Sequence, residues 1–283
     1  MPKTLRRVLI ICALVMSQGA HAARAAIDPA GETTRVAAVV LTFSRPATGT
    51  ATGHEIVVDV VYPKAARGPL PLVIYNHGFR SVPVFYLPFL EQVARCGYVV
   101  AAPRGDEMIP DPERAADVRF VTSQLIGATS GLPRRLVNPD RIGAIGYSLG
   151  GTDSYGLAYN SCCRDRRIRA VATFSAPLLD YPTGQYIWRG APLLIAIGDA
   201  DPLVPYTAAT TVFHEMQSPV YLLTIHGGGH GAGTHADDLG HAAVATALRR
   251  FLDGYLKRDR HALTALRTTR RTDVVSLRSH RRS

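Results

Sequence analysis

The sequence predicts an α/β fold, a mostly parallel, doubly wound sheet opened by an antiparallel hairpin, in a single domain. Two observations carry this. The strand-like runs Val36 to Phe43 and Glu55 to Tyr62 flank a Pro/Gly/Thr turn that suits an antiparallel hairpin. Beyond them, short unbroken Val/Ile/Leu runs alternate with segments of helical period, the pattern of a parallel sheet buried on both faces. In order, Leu72 to Tyr75 precedes a helix over Tyr86 to Arg95, and Tyr98 to Ala102 precedes Pro112 to Leu125. Arg141 to Gly146 precedes Leu149 to Tyr159, and Ile168 to Phe174 stands alone. Pro192 to Ile197 precedes Thr207 to Met216, and Val220 to Ile225 precedes a last helix over Ala236 to Leu256. No long linker or repeat interrupts the series. In such sheets the chemistry gathers at the carboxyl ends of the strands.

Composition narrows the class. The 283 residues are 47% hydrophobic and 19% charged, with four Cys, which excludes a disordered chain and a disulfide scaffold. The formal charge of +10 invites an anionic partner, and its meaning depends on where it sits. Residues 1–22 read as a secretory signal peptide: Lys3, Arg6 and Arg7, an apolar run Val8 to Met16, then a small-x-small site at Ala20-His21-Ala22. That run falls far short of the ~20 apolar residues a membrane span needs, so no transmembrane segment is expected. The expected location is periplasmic or extracellular, with the Sec or Tat route open. Residues 257–283 carry nine Lys/Arg against Asp259 and Asp273. They read as a basic, mobile tail capable of weak contact with an anionic surface. No aromatic residue interrupts the tail, which argues against nucleic-acid stacking. Between these ends residues 23–256, the expected catalytic domain, are formally neutral. With Cys12 in the leader, Cys96, Cys162 and Cys163 remain and their pairing is open.

The run Arg141 to Gly146 ends in Gly146-Tyr147-Ser148-Leu149-Gly150-Gly151, a G-x-S-x-G sequence with a strand before it and a helix behind. A Ser on a sharp strand-to-helix turn needs small residues two before and two after it, and its hydroxyl then projects into the cleft. The helix N-terminus presents its dipole and the Leu149 N–H to developing negative charge. Such a Ser needs a base, and the base an orienting carboxylate. The strand Pro192 to Ile197 runs into Gly198-Asp199-Ala200-Asp201-Pro202-Leu203-Val204-Pro205, and Val220 to Ile225 into His226-Gly227-Gly228-Gly229-His230.

These segments resemble the α/β-hydrolase superfamily, whose acid commonly lies in a G-x-x-D-x-x-V-P segment and whose His follows a small-residue turn after the last strand. The resemblance implies an α/β-hydrolase fold with Ser148 as nucleophile, Asp201 as acid and His230 as base. Asp199 is then a loop-capping residue; His226 lies too close to the strand end and His235 too near the final helix. The loop Asn76-His77-Gly78-Phe79-Arg80-Ser81 is similar to the His-Gly-aromatic segment of secreted esterases, which implies Phe79 and Leu149 as oxyanion-hole N–H donors and His77 as structural. The chain looks most like exported bacterial hydrolases grouped with dienelactone hydrolases, platelet-activating-factor acetylhydrolases, chlorophyllases and cutinase-like polyester hydrolases. It departs from dienelactone hydrolases in carrying Ser148 where they use Cys.

The 17 residues 175–191 are too few for a helical cap, so an uncapped site open to large substrates is expected. Phe79, Tyr147, Tyr181, Tyr186 and Trp188 are candidates to line it, with Tyr147 and Trp188 named as substrate-binding residues. The implied activity is hydrolysis of a small-molecule or polymeric carboxylic ester through an acyl-enzyme. The alternatives are a peptidase or amidase of the same fold, or a non-enzymatic envelope-binding protein. No cofactor or metal is expected: the cluster His226, His230, His235, Asp237 and His241 lacks an H-E-x-x-H spacing. The Gly-rich run 227–233 lacks the Lys-Ser/Thr of a phosphate loop.

Overall fold

The structure, a computed structural model, describes residues 34–48, 52–105, 112–127, 130–231 and 233–281. The expected signal peptide, residues 1–22, lies outside them. Nine strands form one sheet in the order β1-β2-β4-β3-β5-β6-β7-β8-β9. They are β1 (Val36–Arg45), β2 (His54–Pro63), β3 (Leu70–Asn76), β4 (Val99–Pro103), β5 (Val137–Tyr147), β6 (Ile168–Phe174), β7 (Leu193–Gly198), β8 (Val220–Ile225) and β9 (Val275–His280). The opening hairpin is antiparallel, from Val36 opposite Pro63 to Arg45 opposite His54. Strands β3 to β8 are mutually parallel where they pair. This is the α/β-hydrolase fold, with the crossover between β3 and β4 that puts the loop after β3 beside the end of β5.

The described helices are α1 (Pro83–Arg95), α2 (Pro112–Ile126), α3 (Leu149–Tyr159), α4 (Tyr206–Glu215), α5 (His241–Leu256) and α6 (Arg260–Arg267). Successive strand side chains point to opposite faces, and each face has its own core. Leu72 and Ile74 of β3 pack with Val118, Tyr155 and Val212 from α2, α3 and α4. Val73 and Tyr75 pack with Leu90 of α1 and with Leu248 and Phe251 of α5. That two-sided burial is why these strands read as continuous apolar runs. The last long helix begins at His241 rather than Ala236, because Gly240 takes a left-handed φ of 78° immediately before it.

The mobile basic tail is corrected by the structure. The described residues of the segment expected as that tail, 257–281, carry α6, capped by Asp259, whose carboxylate accepts from the N–H groups of His261 and Ala262, and then β9. Strand β9 pairs antiparallel with β8, from Val220 opposite His280 to Ile225 opposite Val275, so the domain extends past residue 256. Leu266 and Val275 are buried in the core beside α5. The physical reason is that β8 would otherwise present an unpaired edge next to the site. The exposed arginines of this segment, Arg258, Arg260, Arg270, Arg271 and Arg281 among them, are carried on a folded edge.

Cys162 and Cys163 are bonded to each other in a disulfide just after α3. Cys96 stands outside it, its thiol 3.5 Å from the Gln92 carbonyl. Among the described residues no helix is long and apolar enough to cross a membrane.

Candidate active site

Ser148 sits between β5 and α3 with φ 52° and ψ −125°, a positive φ that costs an L-residue of order 1–3 kcal/mol and persists only where its surroundings enforce it. The surroundings here are backbone. A Cβ at Gly146 would land on the Gly150 carbonyl, and one at Gly150 would land on the carbonyls of Asn76 and His77. The two glycines of G-x-S-x-G therefore let the turn close on itself and on the loop after β3. The Ser148 N–H is held by the Phe174 carbonyl at 2.9 Å.

The ends of β7 and β8 supply the partners. Ser148 Oγ lies 3.0 Å from His230 Nε2, and His230 Nδ1 lies 2.9 Å from Asp201 Oδ2. The Asp201 side chain is fully buried, and its Oδ1 accepts from the N–H groups of Leu203 (2.8 Å) and Val204 (2.9 Å). Burial pushes this carboxyl's pKa up. The bonds from His230, Val204 and Leu203 outweigh that and hold it below the ordinary carboxylate range. At neutral pH Asp201 is thus an anion that can only accept. Nδ1 of His230 carries the ring proton, and Nε2 is left to accept from the Ser148 hydroxyl. The two loops meet backbone to backbone: Ala200 N–H donates to the Gly228 carbonyl at 3.1 Å, and a Cβ at Gly198 would land on that carbonyl.

The competing residues are placed elsewhere. Asp199 accepts from His226 Nδ1 at 2.9 Å and from the Gly227 N–H at 2.7 Å, which ties β7 to the turn after β8. His241 Nδ1 donates to the Gly233 carbonyl at 2.8 Å, and the N–H of His235 donates to Asp238 at 2.8 Å. His77 is buried; its Nδ1 donates to the Gly78 carbonyl at 2.9 Å, and its ring stacks on Tyr86 with centroids 5.6 Å apart.

The loop after β3 comes close to the nucleophile. A Cβ at Gly78 would stand 3.3 Å from Ser148 Cβ and 3.1 Å from the Tyr147 ring. Phe79, half-buried, follows Gly78 directly in the chain, and Leu149 opens α3 directly after Ser148. Tyr147 is also beside the site, its ring 5.4 Å from that of His230.

Trp188 is not brought there. Its ring stacks on Tyr186 at 4.7 Å and meets Tyr155 and Tyr159 at 5.5 Å each, and it is only 8% exposed. Tyr155 lies seven residues along α3 from Ser148, a rise of ~10 Å at 1.5 Å per residue. Tyr181 packs on Gly156 of the same helix, and Tyr186 donates to the Leu179 carbonyl at 2.9 Å. The segment between β6 and β7 thus spends its aromatic rings on covering α3 rather than on the cleft, and its described residues form no capping helix. Trp188→Ala is expected to cost about 3 to 5 kcal/mol of stability and to leave KM for a small ester unchanged. Thermal melts beside steady-state kinetics check this, and a raised KM on an unaltered melt would return Trp188 to the site.

A family model described as Chlorophyllase matches residues 34–176, just over half of the chain. The chain belongs to the chlorophyllase family. The matched span runs from β1 past the end of β6, so it includes Phe79, Ser148 and Leu149 and stops short of Asp201 and His230. The chain is also 35% identical over 128 residues to a protein named Putative esterase NocK from Nocardia uniformis subsp. tsuyamanensis, a stretch covering 44% of this chain. That stretch spans 33% of the Nocardia protein's own length. Family and relative together support an α/β-hydrolase of the esterase group.

Two residues near the site were not singled out by sequence reasoning. Asn76, fully buried at the end of β3, donates to Ser154 Oγ at 2.9 Å, which fastens the loop after β3 to α3. Asp59 lies beneath the same loop, and the available signal was a lone carboxylate inside Val-Val-Asp-Val-Val, where an unpaired charge is costly.

Proposed function

We propose that this protein is an exported serine hydrolase that cleaves carboxylic esters by two-step acyl transfer. The observation that carries the reading is the continuous hydrogen-bonded line from Ser148 Oγ through His230 to the buried Asp201 carboxylate, at 3.0 and 2.9 Å. In the first step His230 Nε2 takes the Ser148 proton as Oγ attacks the ester carbonyl carbon. Negative charge gathers on the carbonyl oxygen, and the N–H groups of Phe79 and Leu149, with the α3 dipole behind Leu149, are the donors proposed to receive it. Collapse expels the alcohol, which leaves with the proton from His230. Water then repeats the sequence, deprotonated by His230, and releases the acid. Throughout, Asp201 keeps the Nδ1–H tautomer and stabilises the imidazolium.

Support for an exported protein comes from the pattern of residues 1–22. Support for a roomy substrate, small or polymeric, comes from the absence of a capping helix among the described residues between β6 and β7. Tyr147 is the substrate-lining residue in this reading. Purified protein lacking residues 1–22 is expected to hydrolyse short-chain p-nitrophenyl esters and to take up a fluorophosphonate label at Ser148, located by peptide mapping. No turnover and an unlabelled Ser148 would overturn the reading; peptide or amide turnover above ester turnover would replace esterase with peptidase or amidase.

A further inference from the structure

We infer that Tyr86, Asp59 and Arg104 form a positioning chain that aims the Phe79 N–H at the reacting carbonyl by holding His77 in place. The inference deepens the proposed function and rests on it.

The chain begins at one peptide unit. The Gly78 carbonyl and the Phe79 N–H belong to the same trans peptide and point in opposite directions. That carbonyl accepts twice, from His77 Nδ1 at 2.9 Å and from the Ser81 N–H at 3.1 Å. With its oxygen pinned on one side, the Phe79 N–H is pinned to the other. The turn that does this places a non-glycine residue, Arg80, at φ 49°, the third position of a turn where glycine is the unstrained choice. Such a strained turn, beside a Gly78 that approaches Ser148 closely, needs support from outside itself.

The support is the His77 ring. It lies nearly parallel to Tyr86, with an interplanar angle of 3°. Tyr86 is 2% exposed and donates its hydroxyl to Asp59 Oδ2 at 2.7 Å. Asp59, 3% exposed in the middle of β2, is held by both arms of Arg104: Nε to Oδ2 at 2.9 Å and Nη2 to Oδ1 at 2.7 Å. Burial raises the Asp59 pKa, but the bonds from Arg104 and Tyr86 hold it below the ordinary carboxylate range, so it is an anion at neutral pH. The Asp59 carboxylate is buried while the Arg104 side chain is 42% exposed, so the guanidinium anchors the carboxylate from the surface; the carboxylate fixes a phenol, the phenol's ring fixes an imidazole, and the imidazole fixes the peptide. None of the three touches substrate. They are positioning residues on β2, on α1 and immediately after β4, held to one another across up to 45 positions of sequence.

The test compares Tyr86→Leu, which removes the ring, with Tyr86→Phe, which keeps the stack and removes the bond to Asp59. For a p-nitrophenyl ester, Tyr86→Leu is expected to lower kcat about 10- to 100-fold, a fraction of the loss on deleting an oxyanion donor, with KM within about twofold. Tyr86→Phe is expected to fall between Leu and wild type. A trifluoromethyl ketone, whose tetrahedral adduct places an oxyanion in the same spot, is expected to lose affinity in proportion to the loss in kcat/KM. A merely structural role would not produce that proportionality. The inference is overturned if both folded variants match wild type, if KM alone rises, or if ketone affinity survives while kcat falls. If Tyr86→Leu does not fold, Tyr86→Phe decides by the same proportionality. Wild type that neither turns over esters nor labels at Ser148 would instead mark failure of the functional reading itself.

Discussion

Ser148→Ala is expected to reduce kcat for a p-nitrophenyl ester by ~10³-fold or more while the protein melts as wild type. The half-buried hydroxyl has one partner ring, His230 Nε2 at 3.0 Å, and its removal leaves no buried donor stranded, so stability has little reason to change. The residual rate would come from binding and from the Phe79 and Leu149 N–H groups. Asp201→Asn is a sharper probe of the same line and should cost on the order of 10⁴-fold. Its carbonyl oxygen would keep the bonds to the Leu203 and Val204 N–H groups, which turns the amide NH2 toward His230. Nδ1 must then accept, the ring proton moves to Nε2, and the imidazole can no longer take the Ser148 proton. Steady-state kinetics with circular-dichroism melts check both. Near-full activity in folded Ser148→Ala would remove Ser148 from the chemistry.

Truncation after Leu256 is expected to destabilise the protein by several kcal/mol rather than trim a loose end. Removing α6 and β9 takes Leu266 and Val275 out of the core, at roughly 1.5 to 3 kcal/mol each. It also strips six paired residues from β8 and leaves an apolar edge of the kind that aggregates. His280 Nε2 donates to the Phe213 carbonyl at 2.7 Å, and Arg278 lies over the Phe213 ring at 5.1 Å, so α4 loosens as well. A loss of this size is a large share of the ~5–15 kcal/mol typical of a folded protein and should appear as a fall in Tm of about 10 °C or as insolubility. A truncated protein that melts at the wild-type temperature would refute it. Loss of anionic-polymer retention on truncation would therefore report unfolding as much as lost charge. Replacing the exposed Arg270 and Arg271 by Ser, outside both α6 and β9, removes charge while keeping the strand, and retention on a heparin column then isolates the electrostatic contact.

What was legible in the sequence was whatever depends on neighbours along the chain. The alternation of apolar runs and helical periods from Leu72 to Leu256 carries its own burial pattern, and the runs Val36 to Phe43 and Glu55 to Tyr62 flank a turn, so the parallel sheet and its opening hairpin could be read directly, while the order of the strands could not. Gly146 and Gly150 are demanded by the turn that bears Ser148, and Gly198 by the approach of the Asp201 and His230 loops, so those segments stand out as short motifs. The tail did not announce itself because its helix has eight residues and its strand, Val-Ser-Leu-Arg-Ser-His, is two-thirds polar. Neither would persist alone; β9 exists because β8 offers it a partner.

By itself, then, the sequence determined the α/β class, the strand-to-helix turn at Ser148 and the residues placed to join it. Their spacing is set by local sterics. Tertiary structure alone decided that β9 extends the sheet beyond β8, that Trp188 packs on Tyr155 and Tyr186 rather than in the cleft, and that Arg104, Asp59 and Tyr86 stand behind His77. Each of these is a contact between segments distant in sequence or a choice between two buried destinations. Such choices are settled by which surfaces the fold leaves uncovered, and no local pattern records them.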